Sequence, residues 1–338
     1  MSNRASMAAV AAVLLLGSAT VLAQAQRAYP YKPIRLIVGF PPGGNSDAAA
    51  RLMAQRMSEP LGANIVVENR GGAGGSIAGQ IAARAPADGY TLLWSNPGAM
   101  IIAPILDKKL PYDPVTSFTP VGRTFTFCNV LIVRQDSPLA NLAQFMALAK
   151  DKPGHLQFGS QGMGSAGHLS GQMFEHLSGL RLSHVPFKGA TDILTTVIGG
   201  DLAAGFVSPT AAVSQRARLR ALAVTSAQRD PSLPEVPTMQ EGGVKNYDVT
   251  FWFGVVVPAG TPPPIIARLN KELRDALGDA EVSRNTRSQG LNPAPSSPQE
   301  FAAVMRAESE RWRKVFAQLP RPSRVVRTTR NTAPGRTV

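Results

Sequence analysis

Five times along this chain, a short apolar run of strand length stops at a turn rich in glycine, proline or serine and restarts as a helix-forming segment. That alternation restricts the fold more than any other feature. A strand that feeds a helix through a tight turn must lay the helix back on its sheet. Repetition of the unit then gives an α/β domain with a mainly parallel sheet. The turns leave the carboxyl ends of the strands, the edge where such sheets hold ligands. The first unit is the clearest. Ile34–Val38 is rich in β-branched residues, and Pro41, Pro42, Gly43 and Gly44 end it. Asn45 or Ser46 is expected to cap the following helix, and Asp47 falls in its first turn, where a carboxylate suits the helix dipole. Backbone N–H groups converge at such a turn, so the stretch reads as an anion cradle without a catalytic side chain. It is not a nucleotide loop, because it fits neither G-x-x-x-x-G-K-[ST] nor G-x-G-x-x-G.

The other units follow in order. Asn64–Glu68 leads into NRGGAGGSIAG, and Thr91–Trp94 leads into SNPG and a helix through Leu106. Leu110–Arg123 is punctuated by proline and reads as turns. A second series starts with a strand at Asn129–Arg134 and a helix at Leu139–Lys150. Leu156–Phe158 then runs into GSQGMGSAGHLSGQMF, and Ser183–Pro186 into FKGATDILTTVIGG. Further strands are expected at Ala204–Val207, Arg220–Thr225 and Phe251–Val257, and helices at Ile265–Leu277 and from about Ser297 to Phe316. The chain should cross between the two series near Thr124–Val130 and again near Tyr247–Phe253. This divides it into one lobe of residues 26–124 plus 252–318 and another of residues 125–251, hinged around a cleft.

A length of 338 residues accommodates two such lobes. Arg4, the apolar run Ala8–Leu16 and the Ala23-Gln24-Ala25 site read as a signal peptide, residues 1–25, removed on export to a periplasm. The run is too short to span a bilayer, and no later stretch is long enough. Cys128 is the only cysteine, which leaves no internal disulfide and suggests a buried thiol. The formal net charge is +13, but residues 319–338 carry five arginines and no acid, and read as a disordered basic tail. Without those five and Arg4 the body retains about +7, a field that would gather anionic solutes. Export and the lack of a basic aromatic surface motif argue against nucleic acid.

Chemistry is conspicuously sparse. None of the four histidines pairs at i, i+4 and none has an acidic cluster beside it, so no metal site is expected. His168, one turn into its helix, either contacts a ligand or supports its loop. Ser76, Ser160 and Ser165 all miss the G-x-S-x-G elbow, and no cysteine–histidine pair stands out. Without a nucleophile and base the chain reads as a binder. An enzyme acting on a carboxylate is the weaker alternative.

FPPGGNSDAAARLMA, VVENRGGAGG, ADGYTLLW, LPYDPVTSFTPV, FGSQGMGSAGHLSG, HVPFKG, LRALAVTS, LPEVPTMQEGG and FWFGVVVPAGTP occur in this order along the chain. In order and spacing they resemble the extracytoplasmic solute receptors of tripartite tricarboxylate transporters, the Bug or TctC-like family, from about Tyr31 to Phe316. The resemblance implies a type II periplasmic-binding-protein fold: two α/β lobes joined by two crossing strands around a ligand cleft. It implies a monomeric receptor, without cofactor or catalysis, for a small carboxylate: a di- or tricarboxylate, an acidic amino acid or an aromatic acid. The carboxylate would be held by backbone amides, hydroxyls and ordered water, then delivered to membrane subunits of the transporter, or to a sensor protein. Carried over by motif, the first-lobe contacts are Phe40, Gly43, Gly44, Asn45, Ser46, Asp47, Ser95 and Asn96. The second-lobe contacts are Gly162, Gly164, Ser165, His168, Lys188, Gly189, Ala190 and Thr191, with Ser208 and Trp252 as weaker ones. Gln172 and Asn129 stand where the family carries Glu and Pro.

Overall fold

The structure, a computed structural model, describes residues 28–318. The expected signal peptide and basic tail lie outside the described residues. Two sheets form the frame. The first has the strand order β11-β4-β10-β3-β1-β2, and the second β7-β6-β8-β5-β9. The first contains β1 (Ile34–Val38), β2 (Ile65–Asn69), β3 (Thr91–Ser95), β4 (Phe118–Phe127), β10 (Phe251–Pro258) and β11 (Asn292–Pro293). The second contains β5 (Val130–Arg134), β6 (Gln157–Ser160), β7 (Ser183–Pro186), β8 (Ala204–Val207) and β9 (Leu219–Val224).

The helices are α1 (Asn45–Leu61), α2 (Ser76–Ala83), α3 (Ala103–Leu106), α4 (Leu142–Asp151), α5 (Ala166–Ser178), α6 (Ala190–Gly199), α7 (Pro209–Ser214), α8 (Pro263–Gly278), α9 (Ala280–Arg287) and α10 (Pro298–Gln318). A five-residue π-turn, Gly98–Ile102, precedes α3. Among the described residues no helix is long and apolar enough to cross a membrane.

The sheets are mixed, not mainly parallel. β1 pairs parallel with β2 and β3, and β6 with β7 and β8. β10 runs antiparallel to β3 and β4, and β5 antiparallel to β8 and β9. The reason is topological. β10 and β5 enter their sheets from the opposite lobe, without a crossover helix, and so run against the βα units they join. The stretch read as turns ahead of Arg123 is likewise partly strand: β4 begins at Phe118 because Phe118, Val121 and Phe125 all find buried sites.

The crossings are stitched together. Asn129 N–H donates to Thr225 Oγ1 at 2.9 Å, and Thr225 N–H donates to Asn129 O at 2.9 Å. Thr225 Oγ1 donates to Val249 O at 2.9 Å, and Val249 N–H returns to Thr225 O at 2.7 Å. Buried backbone groups need such partners, and here they tie both connections side by side. Cys128 is buried next to this seam, and burial pushes its thiol up to about 12.

One apolar core lies between the first sheet and α1, α8 and α9, built on Ile34, Met53, Trp94, Phe125 and Leu273. A larger one continues from Ile101 and Tyr112 in the first lobe to Phe145, Phe158 and Phe174 in the second, through Tyr247, Phe251 and Trp252. α10 covers the junction. Trp252 stands edge-on to Phe301 of α10, with ring centroids 4.9 Å apart, and its indole N–H donates to Glu308 Oε2 at 3.0 Å. Trp252, proposed by resemblance as a weak ligand contact, thus spends its donor inside the core.

Burial raises the Glu308 carboxyl to about 7, against the opposing pull of Trp252, Arg311 and Arg123. The folded state therefore holds this proton more tightly than the unfolded chain does. Its stabilisation is complete below the ordinary value of 4.5 and is lost as the pH rises through about 7. A shift of this size is worth about 3 kcal/mol as an upper bound. Glu308→Gln, which still accepts from Trp252, should flatten the fall in melting temperature between about pH 5 and about pH 8. A pH slope equal to that of the unchanged chain would contradict this.

Candidate functional site

Six loops leave carboxyl strand ends at the seam between the lobes: those after β1, β2 and β3 in the first, and after β6, β7 and β8 in the second. The loop after β1 is organised by Asp47. This buried carboxylate accepts Gly43 N–H at 3.0 Å, Arg51 Nε at 3.0 Å and Asn69 Nδ2 at 2.8 Å. Asn69 Nδ2 also donates to Phe40 O, and Arg51 reaches Asn69 Oδ1. Burial alone would raise the Asp47 carboxyl, but the bonds from Arg51, Gly43 and Asn69 outweigh it and hold it below the usual carboxylate range.

The cap differs from expectation. Gly44 is the N-cap of α1 and no side chain caps it, because Asn45 turns away to donate to Gln289 O at 3.2 Å. The first N–H groups of α1 therefore have no intrahelical acceptor. Ser46 Oγ, in that turn, is buried without a hydrogen-bond partner. Gly43 sits at φ +86°, and a Cβ on Gly43 or Gly44 would point into open space. A cradle of unspent donors is what these observations describe.

Ser95 and Asn96, after β3, are buried. Ser95 Oγ donates to Gly254 O at 2.9 Å, and Asn96 Oδ1 accepts Ala99 N–H at 3.2 Å, holding the π-turn. The second lobe meets them with the turn Gln161–Ser165. Gly162 and Gly164 adopt φ +101° and +77°, conformations open to glycine at little cost. Ser165 caps α5 by accepting His168 N–H at 3.3 Å. Gly164 N–H donates to Nδ1 of His168 at 3.2 Å, so this ring carries its proton on Nε2 and supports the loop. Burial, with His184 beside it, lowers His168 to about 3.

Lys188 is exposed. It precedes the Gly189 N-cap of α6, which has no side-chain cap, leaving the N–H groups of Ala190 and Thr191 without intrahelical acceptors. Ser208 caps α7 through Ala211 N–H and lies 3.2 Å from Thr210 Oγ1.

The lobes are in backbone contact across this seam. A Cβ on Gly74 would lie 2.9 Å from Met163 O, and one on Gly98 would lie 2.8 Å from Gly164 O. On the other side, Gln289 O accepts from Asn45 of the first lobe and, at 3.5 Å, from Thr210 Oγ1 of the second. Gly98 thus joins the Ser95–Asn96 and Gly162–His168 loops, while Gln289 and Thr210 join the Gly43–Asp47 and Ser208 loops. Gly98, Gln289 and Thr210 were not legible as site residues. Gly98 carried a signal in SNPG, whereas Gln289 follows a helix that the polar segment AEVSRNTR does not announce.

A serine–histidine pair also appears that motif reading does not show: Ser160 Oγ lies 2.7 Å from His184 Nε2. It does not make a nucleophile. Ser160 is fully buried and its hydroxyl reaches Gly162 O at 3.1 Å, while Ser165 Oγ donates to it at 3.3 Å. Among the described residues no group of three or more His, Cys, Asp or Glu could hold a metal.

Two α/β lobes, two stitched crossings and a seam lined by helix N-termini define a type II periplasmic-binding-protein fold. Residues 49–320 match the family described as "Tripartite tricarboxylate transporter family receptor", and the chain belongs to that family. It is 36% identical over 317 residues to the "UPF0065 protein in tcbD-tcbE intergenic region" of Pseudomonas sp. (strain P51), covering 91% of this chain and 93% of that one. Among solved structures, R. palustris Rpa4515 with adipate superposes with a TM-score of 0.79 at 34% identity, covering 86% of this chain and 98% of that one. MatC (Rpa3494) from Rhodopseudomonas palustris with bound malate gives 0.78 at 30%, covering 85% and 99%.

Proposed function

We propose that the protein is a periplasmic receptor that captures a small dicarboxylate or closely related acid between its lobes and delivers it to the membrane subunits of a tripartite tricarboxylate transporter. The observation that carries this reading is the packing of the second-lobe turn Gly162–Ser165, ahead of α5, against Gly74 and Gly98 of the first lobe, in a seam that also holds the uncapped N-terminus of α1. The unpartnered Ser46 hydroxyl adds a donor that bulk water does not reach.

A carboxylate leaving water needs hydrogen bonds at each anionic end. Helix N-termini supply partial positive charge worth about 0.3–2 kcal/mol each. Amides and bridging water complete the shell at small entropic cost. A micromolar affinity requires only about 8 kcal/mol in total. The adipate and malate held in two similar solved structures support this acid class.

Asp47 does not touch the ligand in this reading. Its oxygens are engaged with Gly43, Arg51 and Asn69, which keeps its charge off an anion while it shapes the amides.

A thermal-shift panel of succinate, malate, adipate and citrate tests the proposal. A ligand at about a hundredfold above its dissociation constant should stabilise by about 2.7 kcal/mol, a rise of about 5–10 °C. No rise with any member of the panel would refute it.

A further inference from the structure

We propose that His184, which no motif assigns to the ligand, is a positioning residue for the second-lobe turn, acting through Ser160. The inference rests on the receptor reading above.

Ser160 Oγ has one proton and three neighbours: Gly162 O at 3.1 Å, His184 Nε2 at 2.7 Å and Ser165 Oγ at 3.3 Å. Ser165 Oγ accepts His168 N–H and donates its own proton to Ser160. If Ser160 gave its proton to His184, Gly162 O would lose its hydroxyl partner. One arrangement makes all three contacts hydrogen bonds at once: His184 carries its proton on Nε2 and donates to Ser160, and Ser160 donates to Gly162 O, which can only accept. The Gly162 carbonyl, which also accepts Ser165 N–H at 3.2 Å, is then fixed from two sides. That anchor holds the left-handed Gly162–Gly164 turn, whose Gly164 N–H is drawn inward to His168. The remaining N–H groups at the start of α5 are left for the cleft.

The surroundings keep His184 neutral. Its ring packs against Phe158 and His168, with centroids 5.0 and 4.5 Å away, and burial lowers it to about 4. His184 also opens HVPFKG, the stretch that ends at Lys188 and the Gly189 cap of α6. Phe187 N–H donates to Ser160 O at 2.8 Å. Ser160 is therefore clamped by this stretch through both its side chain and its backbone, and the α5 and α6 turns are held in one relation to each other.

The test reads the network without ligand first. Nitrogen-15 spectra of the ligand-free protein should show both His168 and His184 protonated on Nε2, and His184→Phe, which keeps the ring stack, should speed hydrogen exchange at Gly164. With whichever of malate or adipate binds the unchanged chain, His184→Phe and Ser160→Ala should each weaken binding about tenfold. The double variant should be no weaker than the worse single, because both remove one path. An Nδ1-protonated His184, wild-type affinity in His184→Phe, or losses that simply add would overturn the proposal. If neither acid binds the unchanged chain while the ring and exchange signatures hold, the receptor reading fails and the network stands.

Discussion

Gly164→Val is expected to weaken carboxylate binding at least tenfold, about 1.4 kcal/mol or more. Gly164 sits at φ +77°, where a β-branched side chain is strained by about 1–3 kcal/mol. The added Cβ would lie 3.6 Å from Ile102 Cγ2 and 4.0 Å from Gly98 Cα, both in the other lobe. The two branches of valine extend further into that contact, so an obstacle to closure adds to the backbone strain within the second-lobe turn. A ligand shifts the hinge only by its differential affinity for the closed state, and an obstacle at the seam reduces that difference directly. Calorimetry and small-angle scattering on the variant should show weak binding and no compaction on adding ligand. Full affinity with full compaction would mean that the turn is not part of the site.

Asp47→Ala should have the largest effect on stability among cradle substitutions, about 2 kcal/mol. It leaves Gly43 N–H and Asn69 Nδ2 short of an acceptor; Gly43 is exposed and Asn69 half-buried, so each costs about 1 kcal/mol, the low end for an unmade bond. The Arg51 contribution is discounted, because that side chain is 52% exposed and screened. The melting temperature should fall by about 4–8 °C, and affinity with it, since the Gly43 amide loses its anchor. In Asp47→Asn the amide offers one acceptor oxygen to three donors and turns its NH₂ towards one of them, so stability should fall together with affinity. An Asp47→Ala chain that melts like the unchanged one would refute the organising role.

What could be read from the residues divides along physical lines. Local signals sufficed for the β1 loop, where a β-branched run meets PPGG, and for the capped start of α5 at GSAGH. Strand direction was not local. The crossing near Tyr247–Phe253 could be read, but nothing in FWFGVVVP says that β10 runs antiparallel once it arrives. α9 was hidden because AEVSRNTR has Val282 as its one large apolar residue; its hold comes from the Asp279 cap and the packing of Val282. β11 has only two residues. The same limit applies to the site. Gly43 and Gly164 could be named from turn chemistry, but Asn45 as a partner of Gln289 depends on a contact 244 residues away. Ser160 and His184 become neighbours only through the parallel register that sets Phe158 beside His184.

The central claim is that a carboxylate bridges the N-terminus of α1 and the turn before α5. Titration calorimetry of the full chain with malate and with adipate tests it most directly. The account predicts one site per chain for at least one of these acids, with a dissociation constant of about micromolar order, lost in Gly164→Val. Heat with neither acid from a folded protein, or equal heat from the Gly164→Val chain, would contradict it.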